Sequence, residues 1–175
     1  MACFEVIAGE FEAAEAHARR SVVVCQEAGQ LDSSNAARDT LASALAGQGR
    51  FEEARLWSNA ALRANIAVGG GRRDSDIFRT AAVIALGLGR HKRAATLASA
   101  AEATTVELGI GNPVNPMLAA GVEKALALTW PEAKRAIERG RRMSYFEALE
   151  FAAGQEKEEE NEQEEDLPRE GRSSS

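Results

Sequence analysis

Gly49-Arg50-Phe51-Glu52-Glu53-Ala54 decides how the chain is read, because the phrase occurs three times. It stands 40 residues earlier as Gly9-Glu10-Phe11-Glu12-Ala13-Ala14, and 40 later as Gly89-Arg90-His91-Lys92-Arg93-Ala94. A fixed period in this range marks a repeat architecture, in which each unit buries its apolar face only by stacking on a neighbour. The three copies divide the body of the chain into similar layers.

Between the copies the apolar residues recur at helical spacing. Ala14, Ala18 and Val22 fall at i, i+4 and i+8, with Arg19 and Arg20 expected on the solvent side. Gly29 closes this helix over residues 9–28, and Asp32, Ser33 and Ser34 offer capping oxygens for a second over 35–46. Ala37, Leu41, Ala44 and Leu45 stripe that second helix, which stops at Gly47-Gln48-Gly49. The next helix runs to residue 67 with Trp57, Ala61, Ala64 and Val68 on one face, and Gly69-Gly70-Gly71 breaks it. Ile77, Ala81, Ile84, Ala85 and Leu88 stripe the first helix of the third unit, and Ala94, Leu97, Ala98, Ala101 and Leu108 stripe its partner. Pro113 and Pro116 interrupt the pattern. Leu118, Val122, Ala125 and Leu126 resume it, and Pro131 opens a short basic helix that Gly140 ends. Ser144 and Glu147 form a capping box before a last helix through Phe146, Leu149 and Ala153. No segment alternates with the period of a strand, so the fold class is all-α, antiparallel helix pairs stacked as a solenoid over 1–154.

Charge separates that body from the C-terminal tail. Residues 155–175 carry nine acids and three bases, the whole of the chain's net −6, while residues 1–154 balance 18 against 18. A neutral body argues against nucleic acid, and the acidic tail has no apolar residues to bury between 156 and 166, so it is expected to be disordered. No run approaches a membrane span, and residues 1–8 have neither a basic n-region nor a long apolar run, so the chain is expected in the cytoplasm with Cys3 and Cys25 as thiols.

The combination of Leu41-Ala42, Leu45, Gly49, Phe51, Ala54 and Ala61 resembles the tetratricopeptide repeat, which puts small residues where its two helices cross and an aromatic after the turn glycine. The third copy keeps Ala82, Ala85, Gly89, Ala94 and Ala101 but has His91 for the aromatic, and the period of 40 exceeds that family's usual 34. The resemblance implies a right-handed superhelix and a non-catalytic protein- or peptide-binding role. Its first helices would line a concave groove, exposing Asp39, Ser43, Arg79 and Val83 to a partner.

Farther along, Gly140, Arg141, Met143, Ser144, Glu147 and Ala148 match a phrase that closes the helical region of large ATP-binding LuxR-type regulators of bacteria and related signalling ATPases. That resemblance implies an alternative, a regulatory fragment working with nucleotide- and DNA-binding domains that this sequence does not contain. No Gly-x-x-x-x-Gly-Lys-Ser/Thr is present, and Gly69-Gly70-Gly71-Arg72-Arg73 follows a helix instead of a strand, so it reads as an inter-repeat loop. His17 and His91 stand apart from any nucleophile, and Trp57 and Trp130 read as packing anchors. The sequence therefore predicts no catalytic residue, cofactor or metal. The unit containing Gly9 has only eight residues before it for a first helix, so Ala14, Ala18 and Val22 are expected to lie partly open and to favour self-association.

Overall fold

A computed structural model of the chain describes residues 2–69, 76–109 and 115–154. Pro113, the acidic tail and the glycine–arginine loop beyond Gly69 lie outside the described residues. Nine helices and no strand are present among those described. They are α1 (Ala2–Ala8), α2 (Phe11–Glu27), α3 (Leu31–Gly47), α4 (Phe51–Ala67), α5 (Asp76–Gly87), α6 (His91–Leu108), α7 (Pro116–Leu126), α8 (Pro131–Arg141) and α9 (Tyr145–Ala153).

The turns explain the regularity. Positive φ is found at Gly9, Gly29, Gly49, Gly69, Gly89 and Gly109, a ladder with a rung every 20 residues, half the period of the written phrase. At four of the rungs the hydrogen bonds are the same. The residue after the glycine donates back across the turn, Glu10 to Glu5, Gln30 to Cys25, Arg50 to Leu45 and Arg90 to Ala85, at 2.8–3.0 Å. The glycine itself donates three residues back, Gly49 to Ala46 for example, at 3.0 Å. This is the Schellman closure, which needs a left-handed residue and so selects glycine. The residue that completes it, with φ near −86° and ψ of 60–78° at positions 10, 30 and 50, is already the N-cap of the next helix. Helix end and helix start thus share three residues. For the same reason Asp32, Ser33 and Ser34 are not caps. The Gly29 turn starts α3 at Leu31, which puts all three inside it, and Ser34 is fully buried.

The helices stack in two layers. The first helices α1, α3, α5 and α7 lie side by side, and each second helix, α2, α4 or α6, packs on its own partner and on the first helix of the following pair. Small residues make the approach possible. Ala14, Ser34, Ala54 and Ala94 occupy the fourth position of their helices, 20, 20 and 40 residues apart, and all four are fully buried. Phe11 lies against Gly47 and Phe51 against Gly87, so close that a Cβ on either glycine would sit 2.4 Å from the ring. Gly47 and Gly87 are therefore sockets within their helices, and only Gly49 and Gly89 are stops. In the third unit His91 meets Trp130 edge to face at 5.9 Å, so the odd residue of the phrase still has an aromatic partner.

Two faces are turned from the expected phase. In α4 the buried row is Ala54, Ser58, Ala61, Leu62 and Asn65, whereas Trp57 and Ala64 are half-buried and Val68 is exposed. In α9 it is Tyr145, Ala148, Leu149 and Ala152 that are buried, and Phe146 is exposed.

The array does not end by adding a further layer. Helix α8 runs against α6, and Gly140 lies within it, not at its stop. A Cβ there would stand 2.1 Å from the Thr96 carbonyl oxygen, so the two backbones touch where the side chain is missing. Helix α9 then folds back onto α4, α5 and α6. Tyr145 is fully buried there, edge to face with Phe78 at 5.4 Å and 3.2 Å from the Asn65 amide, which donates to its hydroxyl. Buried Arg93 donates to the last carbonyls of α9, Phe151 at 3.1 Å and Ala152 at 2.7 Å, and the helix C-terminus favours that charge.

Candidate interaction surfaces

The four residues assigned to a concave groove do not form one. Ser43 is buried, with its hydroxyl 2.9 Å from that of Thr80 across the α3–α5 contact. Arg79 is 3% exposed and donates to Asp76 at 2.7 Å, to Glu102 at 3.3 Å and to the Thr105 hydroxyl at 2.8 Å. Val83 is covered by α7, where a Cβ on Gly121 would stand 2.4 Å from its methyl group. Asp39 alone is half-buried. Neighbouring first helices come together over small residues, so the row between them is closed. Gly121 and Ser43 were the readable signs of that closeness.

The open surface is instead at the first pair, in a row other than the expected one. Ala14, Ala18 and Val22, expected to lie partly open, are buried, at 0%, 0% and 4%. Phe4 is 77% exposed and Ile7 38%, with Val23 and Val24 exposed on α2. The repeat shows what is missing. The residues 40 positions after Phe4 and Ile7 are Ala44 and Gly47; Ala44 is fully buried in a cluster with Val6 and Ala14, and Gly47 holds the Phe11 ring. A helix covers this row in the second unit, and none among the described residues does in the first.

Beside the edge an ionic lattice ties α2 to α4. Arg19 donates to Glu15 at 2.9 Å and to Glu53 at 2.5 Å; Arg50 pairs with Glu15 at 2.7 Å and also with Glu53; and Gln48 donates to Glu15 at 2.9 Å. The Arg19 guanidinium also lies over Trp57, 5.8 Å from the ring centre. Arg19 is therefore a half-buried clamp, not the solvated charge its position suggested. Burial pushes the Glu15 carboxyl up, but hydrogen bonds from Gln48 and Arg19 and the Arg50 charge outweigh it and hold the group below its usual range. Hydrogen bonds from Arg19 and Arg50 do the same for Glu53.

The histidines are likewise bound into the frame. His17 Nδ1 is 2.7 Å from the Glu5 carboxylate, which joins α1 to α2. Cys3 and Cys25 are not joined to each other. Among the described residues no group of three or more His, Cys, Asp and Glu side chains could hold a metal ion, and no helix is long and apolar enough to cross a membrane.

A second surface opens between α8 and α9, a cleft of about 720 Å³. One wall is Arg135, Arg139 and Arg142, at i, i+4 and i+7, with Glu138; the other is Glu147, Glu150 and Phe151, ending at Gly154. Phe151 is held between two guanidiniums, 5.0 Å from that of Arg93 and 4.7 Å from that of Arg139. Glu147 is turned away onto Ser144, accepting from its backbone N–H and its hydroxyl at 2.8 Å each. Those two hydrogen bonds hold its carboxyl below the usual range. The phrase that resembled the LuxR-type regulators is thus a packing unit: Gly140 touches α6, Ser144 and Glu147 cap α9, and Ala148 is fully buried. Comparison with family models, with curated proteins and with solved structures returned no match.

Proposed function

We propose that this chain is a non-catalytic protein–protein interaction module of tetratricopeptide-like repeats, and that it takes a partner helix on the edge formed by α1 and α2. One observation carries the reading: the row headed by Phe4 and Ile7 is apolar and exposed, while the equivalent row one repeat later is covered by a helix of the preceding pair. An amphipathic helix has the shape and chemistry that this row accepts elsewhere in the same molecule. Its fit must differ from that of α2 on α3, because Ile7 stands where Gly47 provides the socket for an aromatic ring. The partner helix should therefore present small residues, not a phenylalanine, opposite Ile7. The neutral body and the two unpaired thiols fit a cytoplasmic setting.

Selection of displayed helical peptides on the full chain tests this. Enriched peptides should bind with Kd in the micromolar range, lose at least tenfold with Phe4→Glu, and bind equally well to Leu56→Glu, a control at another exposed apolar residue. Failure to enrich any peptide that distinguishes the two variants would reject the edge as the binding surface.

A further inference from the structure

We propose that the basic face of α8 is the docking surface for the chain's own acidic segment, residues 156–166. The α8 region, residues 131–142, has five bases and two acids, a net +3, and all seven side chains are exposed. Arg135 is paired with Glu132 at 2.9 Å, but Lys134, Arg141 and Arg142 have no ion-pair partner among the described residues. Residues 156–166 carry eight acids and one base, a net −7, and no other segment of similar length approaches that density.

Position selects this segment over any other anion. The last described residue after α9, Gly154, lines the same cleft as the arginine row, and Glu156 follows it two positions later in the sequence. Eleven extended residues reach about 36 Å, and the eleven-residue helix α8 is about 16 Å long, so the segment can run the length of the face. A tether this short gives an effective concentration on the order of millimolar, which populates even weak charge contacts within one molecule before those between molecules. Glu138 and Glu150 line the cleft among the arginines and repel an anion from it. The contact therefore rests on Lys134 and Arg141, exposed on α8 outside the cleft lining, together with Arg142 in the cleft wall. Such a contact needs no fixed conformation of the acidic residues and is screened by salt over about 10 Å at 0.1 M.

The test uses the full chain labelled for NMR. Between 20 mM and 500 mM NaCl the amide and guanidinium resonances of residues 134–142 should shift, independently of protein concentration. In a chain with the eight acids of 156–166 changed to Gln or Asn, and in the double variant Arg141→Glu and Arg142→Glu, the salt-dependent shifts should be lost while the resonances of α2–α6 stay in place. Two results would overturn the proposal. One is an α8 spectrum that responds to salt equally with and without the acids, which makes the basic face a bare surface. The other is a response that grows with protein concentration, which makes the occupant a second copy.

Discussion

At the scale of single residues, the glycines divide by what the missing side chain permits. Gly49 has φ of +75° and open space around it, so its constraint is the backbone alone. Gly47 is helical, and its constraint is the Phe11 ring at 2.4 Å. Substitution should therefore distinguish them. Gly49→Ala should cost about 1–2 kcal/mol and Gly49→Asn less, because asparagine tolerates the left-handed region. At position 47 alanine and asparagine should both destabilise, asparagine more, and chemical denaturation of the four variants checks the pattern. Gly140→Ala should cost about 2–3 kcal/mol, since its Cβ would meet a backbone oxygen that cannot turn aside. Ser58 points the other way: its hydroxyl is buried and has no hydrogen-bond partner among the described residues, so Ser58→Ala should raise the thermal midpoint.

At the scale of elements, α2 and α4 are clamped by charge and α9 by burial. Glu15 and Glu53 have folded pKa values below their ordinary ones, so the stability they confer is present above the usual glutamate range, near roughly 4.3. It is lost as pH falls through the depressed values. The thermal midpoint should hold from pH 7 to about 5 and drop below about 4, and Glu53→Gln should flatten the drop. For α9, Arg93→Leu removes the donors to its last turn, so hydrogen exchange should accelerate across 145–153 while α2 and α3 keep their protection. The helices themselves were legible from the 3.6-residue pattern, and the capping box at Ser144 was found where the sequence put it. The facing of α4 was not, because alanines at 54, 60, 61, 64 and 67 satisfy several phases equally and the small buried residues Ser58 and Asn65 are polar. The groove failed for a related reason. Periodicity orders the residues around a helix, but how closely two helices approach depends on the Gly121 and Ser43 they share.

At the scale of the whole molecule, the decisive contact is the return of α9 across α4, α5 and α6. Repeat arrays are held by nearest neighbours and tend to lose cooperativity as contacts between units weaken. Here one helix bridges the second and third pairs, so urea unfolding should be a single transition. Tyr145→Asp, which places a charge in the site between Phe78 and Asn65, should split or broaden it and lower the slope with denaturant. Nothing in the linear sequence announced that bridge. Tyr145 and Asn65 are 80 positions apart, and no repeat copy contains a counterpart of α9.

The glycine ladder also bears on what kinds of genetic change the chain can survive. From Gly9 to Gly109 every rung is 20 residues from the last, and at Gly9, Gly29, Gly49 and Gly89 a single turn serves two helices at once. One residue inserted within α3 would rotate everything beyond it by about 100° relative to what came before. The Phe11 ring would then no longer face Gly47, and the turn at Gly49 would leave in the wrong direction. Length is thus as constrained in this region as composition, and an alanine inserted after Ala44 should abolish folding where several point changes would not. Between α6 and α7 the ladder stops, the next turn no longer shares its capping residue, and a Gly-Ser insertion there should leave the helical circular dichroism unchanged.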